Sequence, residues 1–237
     1  MQNPQRTTVR GPTFIRLLAR LADVEAPQSN PPLPDRLSQW LDWAHAIALS
    51  TALDGKPSAI ASTAPTFDSA VEDECARVRG SLVNAIAGDR DLTLAGRHGD
   101  EHASAAIDYK VFRQRYLTRQ RAMQAATGNL RGRLRDMLAH ISTDMARLAE
   151  VDAVMELALS PREHKLLAAV PGLLGDHFER LRQAGQADMD VAAAPGAWLD
   201  VFRKDMQSVL LAELDVRFQP VEGLLAALRT SQLGSHV

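Results

Sequence analysis

Between Ser104 and Ser160 the apolar positions recur at threes, fours and sevens: Tyr109, Phe112, Tyr116, Met123, Leu130, Met137, Ile141, Met145, Leu148 and Met155. That period marks a helix with one buried seam, so the stretch reads as one very long helix or two stacked ones. Tyr116, Met123, Leu130 and Met137 keep a strict heptad, and such a seam suits a partner helix, as in a coiled coil. The doubtful joint is Thr127-Gly128-Asn129, where Gly as C-cap and Asn as the next N-cap would split the element. The heptad stays in phase across it, which favours a continuous or merely kinked helix.

The rest of the chain carries shorter patterns of the same kind. Thr13 is placed to cap a helix from Phe14 to Val24, and four prolines (Pro27, Pro31, Pro32, Pro34) make 26–34 a loop. A second helix is predicted from Asp35 to Leu53, with Leu37, Trp40, Leu41, Ala44, Ala48 and Leu49 on its apolar face and Gly55 as its stop. Residues 56–67 read as a Pro/Ser/Thr/Ala linker, 68–87 as a helix and 88–103 as a polar loop. Ser160-Pro161-Arg162-Glu163 has the form of a helix start, and that helix reaches Gln183 with a bend at Pro171-Gly172. After a loop at 184–195, a helix from Gly196 to Phe218 precedes a last one opened by Pro220 and running to about Arg229. No strand pattern is present. The expectation is an all-α fold, an elongated helical bundle with long coiled-coil-like antiparallel helices. Its regions are an N-terminal helical part (1–55), an acidic linker with one helix (56–103), the long-helix bundle (104–231) and a flexible tail (232–237).

Composition is ordinary for a globular protein, with 46% apolar and 24% charged residues; aromatics are only 5%, which favours helices. Charge changes the picture more. The formal net charge is −2, yet Tyr109–Arg135 holds Lys110, Arg113, Arg115, Arg119, Arg121, Arg131, Arg133 and Arg135 and no acidic residue. Without that segment, 19 basic side chains stand against 29 acidic ones, a net of −10. On a helix, Lys110, Arg113, Arg121, Arg131 and Arg135 fall within an arc of about 80°, a row of cations able to track the phosphates of double-stranded DNA. Arg115, Arg119 and Arg133 cluster on the other flank of the seam. The competing reading is internal: Asp136, Asp144, Glu150, Asp152 and Glu156 make the second half of the stretch acidic, so antiparallel copies could pair opposite charges across a seam. Both readings stand at this point.

Candidate chemistry is sparse. The single cysteine, Cys75, excludes an internal disulfide and fits a reducing compartment. Residues 1–11 lack the apolar core of a signal peptide, and no apolar run approaches the roughly 20 residues of a membrane span, so a cytoplasmic protein is expected. His98 and His102, with Asp100 and Glu101 between them, have zinc-like spacing, but Gly96 and Gly99 argue for a loop and no third ligand is placed. His140, His164 and His177 have no evident Ser or Cys partner for acyl transfer. No phosphate-cradling glycine loop occurs. No catalytic residue, metal ligand or cofactor is assigned, and the chain is read as not an enzyme.

Several strings resemble a family of uncharacterised proteobacterial proteins, domain of unknown function 3348. They are Phe14-Ile-Arg-Leu-Leu-Ala-Arg-Leu-Ala22, the run Arg36–Ser50 with Gln39-Trp-Leu-Asp-Trp43, Phe112–Met123, Leu130–Arg135, and Leu210–Leu225 with Gln219-Pro-Val-Glu-Gly-Leu-Leu225. The resemblance implies a cytoplasmic accessory component of a type III Zorya-like anti-phage defence system. Such a component would act beside a proton-channel membrane motor and with a second cytoplasmic protein. It supplies no catalytic residues. Two functions are thus expected to compete, a self-assembling scaffold that also meets the second protein and a component that contacts DNA, with an enzyme acting on DNA as a remote third.

Overall fold

The computed structural model describes residues 13–24, 32–55, 69–89, 108–187 and 196–234. Among these residues every regular element is a helix: α1 (Thr13–Ala22), α2 (Leu33–Trp40), α3 (Trp43–Asp54), α4 (Ser69–Ala87), α5 (Tyr109–Ala139), α6 (Thr143–Leu167), α7 (Val170–Ala187) and α8 (Ala197–Gly234). The all-α expectation holds.

Helix α5 runs unbroken through Gly128, and its seam is internal to the chain: Phe112, Tyr116, Met123, Leu130, Leu134, Met137 and Leu138 are all buried. The break falls later, at His140-Ile141-Ser142. There the His140 and Ile141 amides turn to the carbonyls of Met137 and Leu138, both at 3.1 Å, which tightens the last turn. Ser142 then caps α6, its hydroxyl accepting from the Met145 amide at 3.2 Å. The turn resets the helical phase, so α6 buries Ala146, Ala149, Ala158 and Leu167 while Ile141 and Leu148 of the predicted stripe lie exposed.

Three predicted boundaries are corrected. Ser160-Pro161 does not start a helix; α6 passes through Pro161 to Leu167, and the boundary lies at Ala168-Ala169. Pro220 likewise sits inside α8. Each proline forfeits one backbone hydrogen bond at a cost of about 3 kcal/mol. Around Pro220 that cost is met by burial of Phe218, Val221, Leu224, Leu225 and Leu228. The single helix expected over 35–53 is two, because Leu41 is extended and the Asp42 carboxylate accepts from the His45 amide at 2.8 Å to cap α3.

The chain forms two compact units, each built from three separated stretches: residues 1–30, 86–119 and 169–213 in the first, 31–85, 120–168 and 214–237 in the second. The first unit centres on aromatic rings. Phe178 meets Phe202, Trp198 and Phe112 at centroid distances of 5.0, 5.1 and 5.8 Å, and Tyr109 packs on Phe178 and Phe202 at 5.6 and 6.2 Å. The Tyr109 hydroxyl donates to the Pro171 carbonyl. Helix α1 packs on α7 and buries Phe14 and Leu21. In the second unit α3 packs on α6, and an apolar core gathers Met123, Leu130, Leu134, Met137, Phe218, Val221 and Leu225.

Candidate functional site

The arginines of α5 divide by the neighbour they meet. In the second unit Arg131 forms a two-pronged bond to Asp152 on α6, Nη2 to Oδ1 at 2.7 Å and Nε to Oδ2 at 2.8 Å, and approaches Glu156 at 3.5 Å. One turn on, Arg135 reaches the same two carboxylates, at 3.3 Å for Asp152 and more closely for Glu156. Farther from the turn, the Gln120 side chain donates to the Leu167 carbonyl at 3.2 Å. Of these residues, the one farthest before the turn on α5, Gln120, meets the one farthest after it on α6, Leu167, while Arg131 and Arg135 meet Asp152 and Glu156 nearer the turn. Within this unit α5 and α6 therefore form an antiparallel hairpin. The four charged side chains keep only 15–28% of their exposure. Burial works against the Arg131 charge, but the hydrogen bonds and field of Asp152 and Glu156 outweigh it and raise its pKa above the ordinary arginine value.

The opposite flank of α5 meets Glu74 of α4 and Asp89, which follows α4 in the chain. Arg133 binds Glu74 in the second unit. In the first unit, Arg119 binds the buried Asp89 at 2.8 Å and Arg115 lies 3.7 Å from it. Of the residues placed on the candidate nucleic-acid row, Arg131 and Arg135 are therefore committed to α6. Lys110 is exposed and lies 3.4 Å from Asp108. Arg113, in the first unit, and Arg121, in the second, are exposed and make no ion pair among the described residues.

A further arrangement was not anticipated. In the second unit a cavity of about 250 Å³ is lined by Thr127, Arg131, Glu156, Ser160, Glu163, His164 and Arg217, among others. It gathers a hydroxyl, an imidazole and carboxylates. Yet Glu163 is engaged by Arg217 at 3.2 Å, and no hydrogen bond joins Ser160 to His164 among the described residues. The one signal for it in the sequence is the spacing of Ser160 and His164, four apart on a helix that continues through Pro161.

Cys75 is buried in the second unit, and burial pushes its thiol pKa up, so it is a packed rather than a reactive thiol. His177 is held by Asp205 at 2.9 Å in the first unit, and His140 by the Asp136 carbonyl at 2.6 Å. His98 and His102 lie outside the described residues; among the described ones no group of three or more His, Cys, Asp or Glu is placed to hold a metal ion. No helix among them is long and apolar enough to cross a membrane. No curated protein and no solved structure matches the chain. The model of the family described as protein of unknown function (DUF3348) matches residues 1–230, and the chain belongs to that family.

Proposed function

We propose that this chain is a non-catalytic helical subunit of an anti-phage defence complex of the Zorya-like kind it resembles. On this reading it works in the cytoplasm beside a proton-driven membrane motor, and it assembles with copies of itself and with a second cytoplasmic protein. The observation that supports a scaffold is the commitment of Arg131 and Arg135 to Asp152 and Glu156. A guanidinium already shared between carboxylates has to give up both before it can follow a phosphate, so these side chains fix helix register first. Two of the five cations on the basic row, Arg131 and Arg135, then read as framework.

The second reading, contact with double-stranded DNA, keeps its support at Arg113 and Arg121, which are exposed and have no carboxylate partner among the described residues. The experiment combines sedimentation of the purified chain with DNA binding across a salt series. Wild type is compared with Arg113→Glu, Arg121→Glu and the Arg131→Gln/Arg135→Gln pair. The scaffold predicts an oligomer that ignores DNA at 50 mM salt. A chain that is monomeric at tens of micromolar and binds DNA would replace it with the second reading. In that case each of R113E and R121E should flatten the dependence of log K on log salt by about one charge or more.

A further inference from the structure

Helix α3 is apolar on more than the side it needs. It packs on α6 with Ala52 buried and Ala48 and Leu49 half-buried. Away from that contact Trp43 is 81%, Leu53 52% and Ile47 51% exposed, with Ala46 and Ser50 exposed between them. At 100° per residue these five positions span an arc of about 120°, and from Trp43 to Leu53 they run about 15 Å along the helix. An exposed tryptophan beside an isoleucine one turn on is the composition of an interface anchor, since burying both removes much apolar area from water.

Charge restricts what covers this face. Within α3 itself, Trp43–Asp54, there is no lysine or arginine, the flanking cations of the sequence being Arg36 and Lys56. The ends of the face carry Asp42 and Asp54, both exposed. The nearby guanidiniums of the same unit are committed, Arg147 to Asp144 and to the Gly55 carbonyl (each 3.4 Å) and Arg162 to the ring of Trp40 at 5.0 Å. Two copies of the face, laid parallel or antiparallel, set carboxylate against carboxylate at both ends. An anionic lipid surface meets the same repulsion. The complementary surface is a helix whose apolar stripe is bracketed by basic residues.

We infer that the outer face of α3, anchored by Trp43 and Ile47, docks an amphipathic helix of a partner protein flanked by lysine or arginine. This rests on the reading of the chain as an assembly subunit and names the surface a different protein would take.

The test uses the full chain and two labelled synthetic helices that share one leucine stripe, flanked by lysine in one and by glutamate in the other. Binding is followed by anisotropy of the label, and burial of Trp43 by a blue shift of tryptophan emission. The lysine helix is expected to bind with a blue shift, to weaken with salt and to bind at least tenfold better than the glutamate helix. Trp43→Ala and Ile47→Ser, both at exposed positions, should each lower its affinity at least tenfold while leaving the circular dichroism unchanged. Asp42→Asn/Asp54→Asn, which keeps a capping side chain at 42, should erase the preference for lysine over glutamate. Equal binding of the two helices, no binding of either, or wild-type affinity in W43A overturns the inference. Sedimentation in parallel separates this from the scaffold reading: an oligomer that ignores the lysine helix keeps the scaffold and loses the α3 face. A monomer that binds the helix does the reverse for self-assembly.

Discussion

Gly128→Ala and Gly175→Ala should move stability in opposite directions, because the two glycines meet different surroundings inside helices. At Gly128 an added Cβ meets nothing within 4 Å, and the residue lies in the interior of the 31-residue α5. Replacing glycine there should gain about 1 kcal/mol from helix propensity alone. At Gly175 on α7 the Cβ would lie 2.9 Å from Cε1 and 3.3 Å from Cδ1 of Tyr109. That ring is held by its hydrogen bond to the Pro171 carbonyl and by Phe178 and Phe202, so it has little room to swing away. Overpacking of this kind costs about 1–3 kcal/mol, from which the helix gain of about 1 kcal/mol is subtracted. The two variants should thus differ by about 2 kcal/mol, with G128A above wild type and G175A below it. In thermal melts followed at 222 nm, each 1 kcal/mol should appear as a shift of about 2–4 °C for a chain of this size. A destabilised G128A would mean that α5 is capped at Gly128 after all. A stabilised G175A would mean that the aromatic cluster yields more easily than its packing implies.

Asp152→Asn leaves Arg131 and Arg135 with Glu156 as their remaining carboxylate and should cost about 1–2 kcal/mol, the range for a pair between fully buried and exposed. A double-mutant cycle with Arg131→Gln checks it, and a coupling near zero would remove the pair from the account of the hairpin. Burial pushes the Tyr109 phenol pKa from 10.0 up to about 12. The folded state therefore holds that proton longer than the unfolded chain, and this contribution to stability is complete below pH 10 and lost as pH rises towards 12. Denaturation midpoints measured across that window should fall in wild type and fall less in Tyr109→Phe.

The α5 seam was legible because a heptad depends only on which residues are apolar, and Tyr116 through Met137 are buried as their spacing requires. The same seam hid the true turn. Met145, Leu148 and Met155 prolong the pattern past Ser142, whose capping hydroxyl was the better guide. The prolines misled in the other direction, since a rule about one backbone hydrogen bond cannot weigh the side chains buried around Pro220. That acidic residues of the second half could answer the arginines was visible in the composition; which carboxylate meets which guanidinium followed only once the turn was placed. That Trp43 and Ile47 lie on an uncovered face was not legible, because α3 has apolar residues on both sides and periodicity does not say which side is covered. The two spatial units are assembled from interleaved stretches, which no local pattern encodes.

The polar clamps on α1 set a timetable for synthesis. Arg20 of this helix binds Asp205 at 2.9 Å across a separation of 185 residues, and the Leu21 carbonyl accepts from Arg180 across 159. A helix of ten residues is too short to persist alone in water. At translation rates of about 5–20 residues per second, the N-terminal segment waits roughly 10–40 s for its partners to leave the ribosome. Throughout that interval Phe14 and Leu21 have no native surface to cover them. Helix α1 is therefore synthesised well before it can fold, and the nascent chain suits a chaperone that holds short apolar segments.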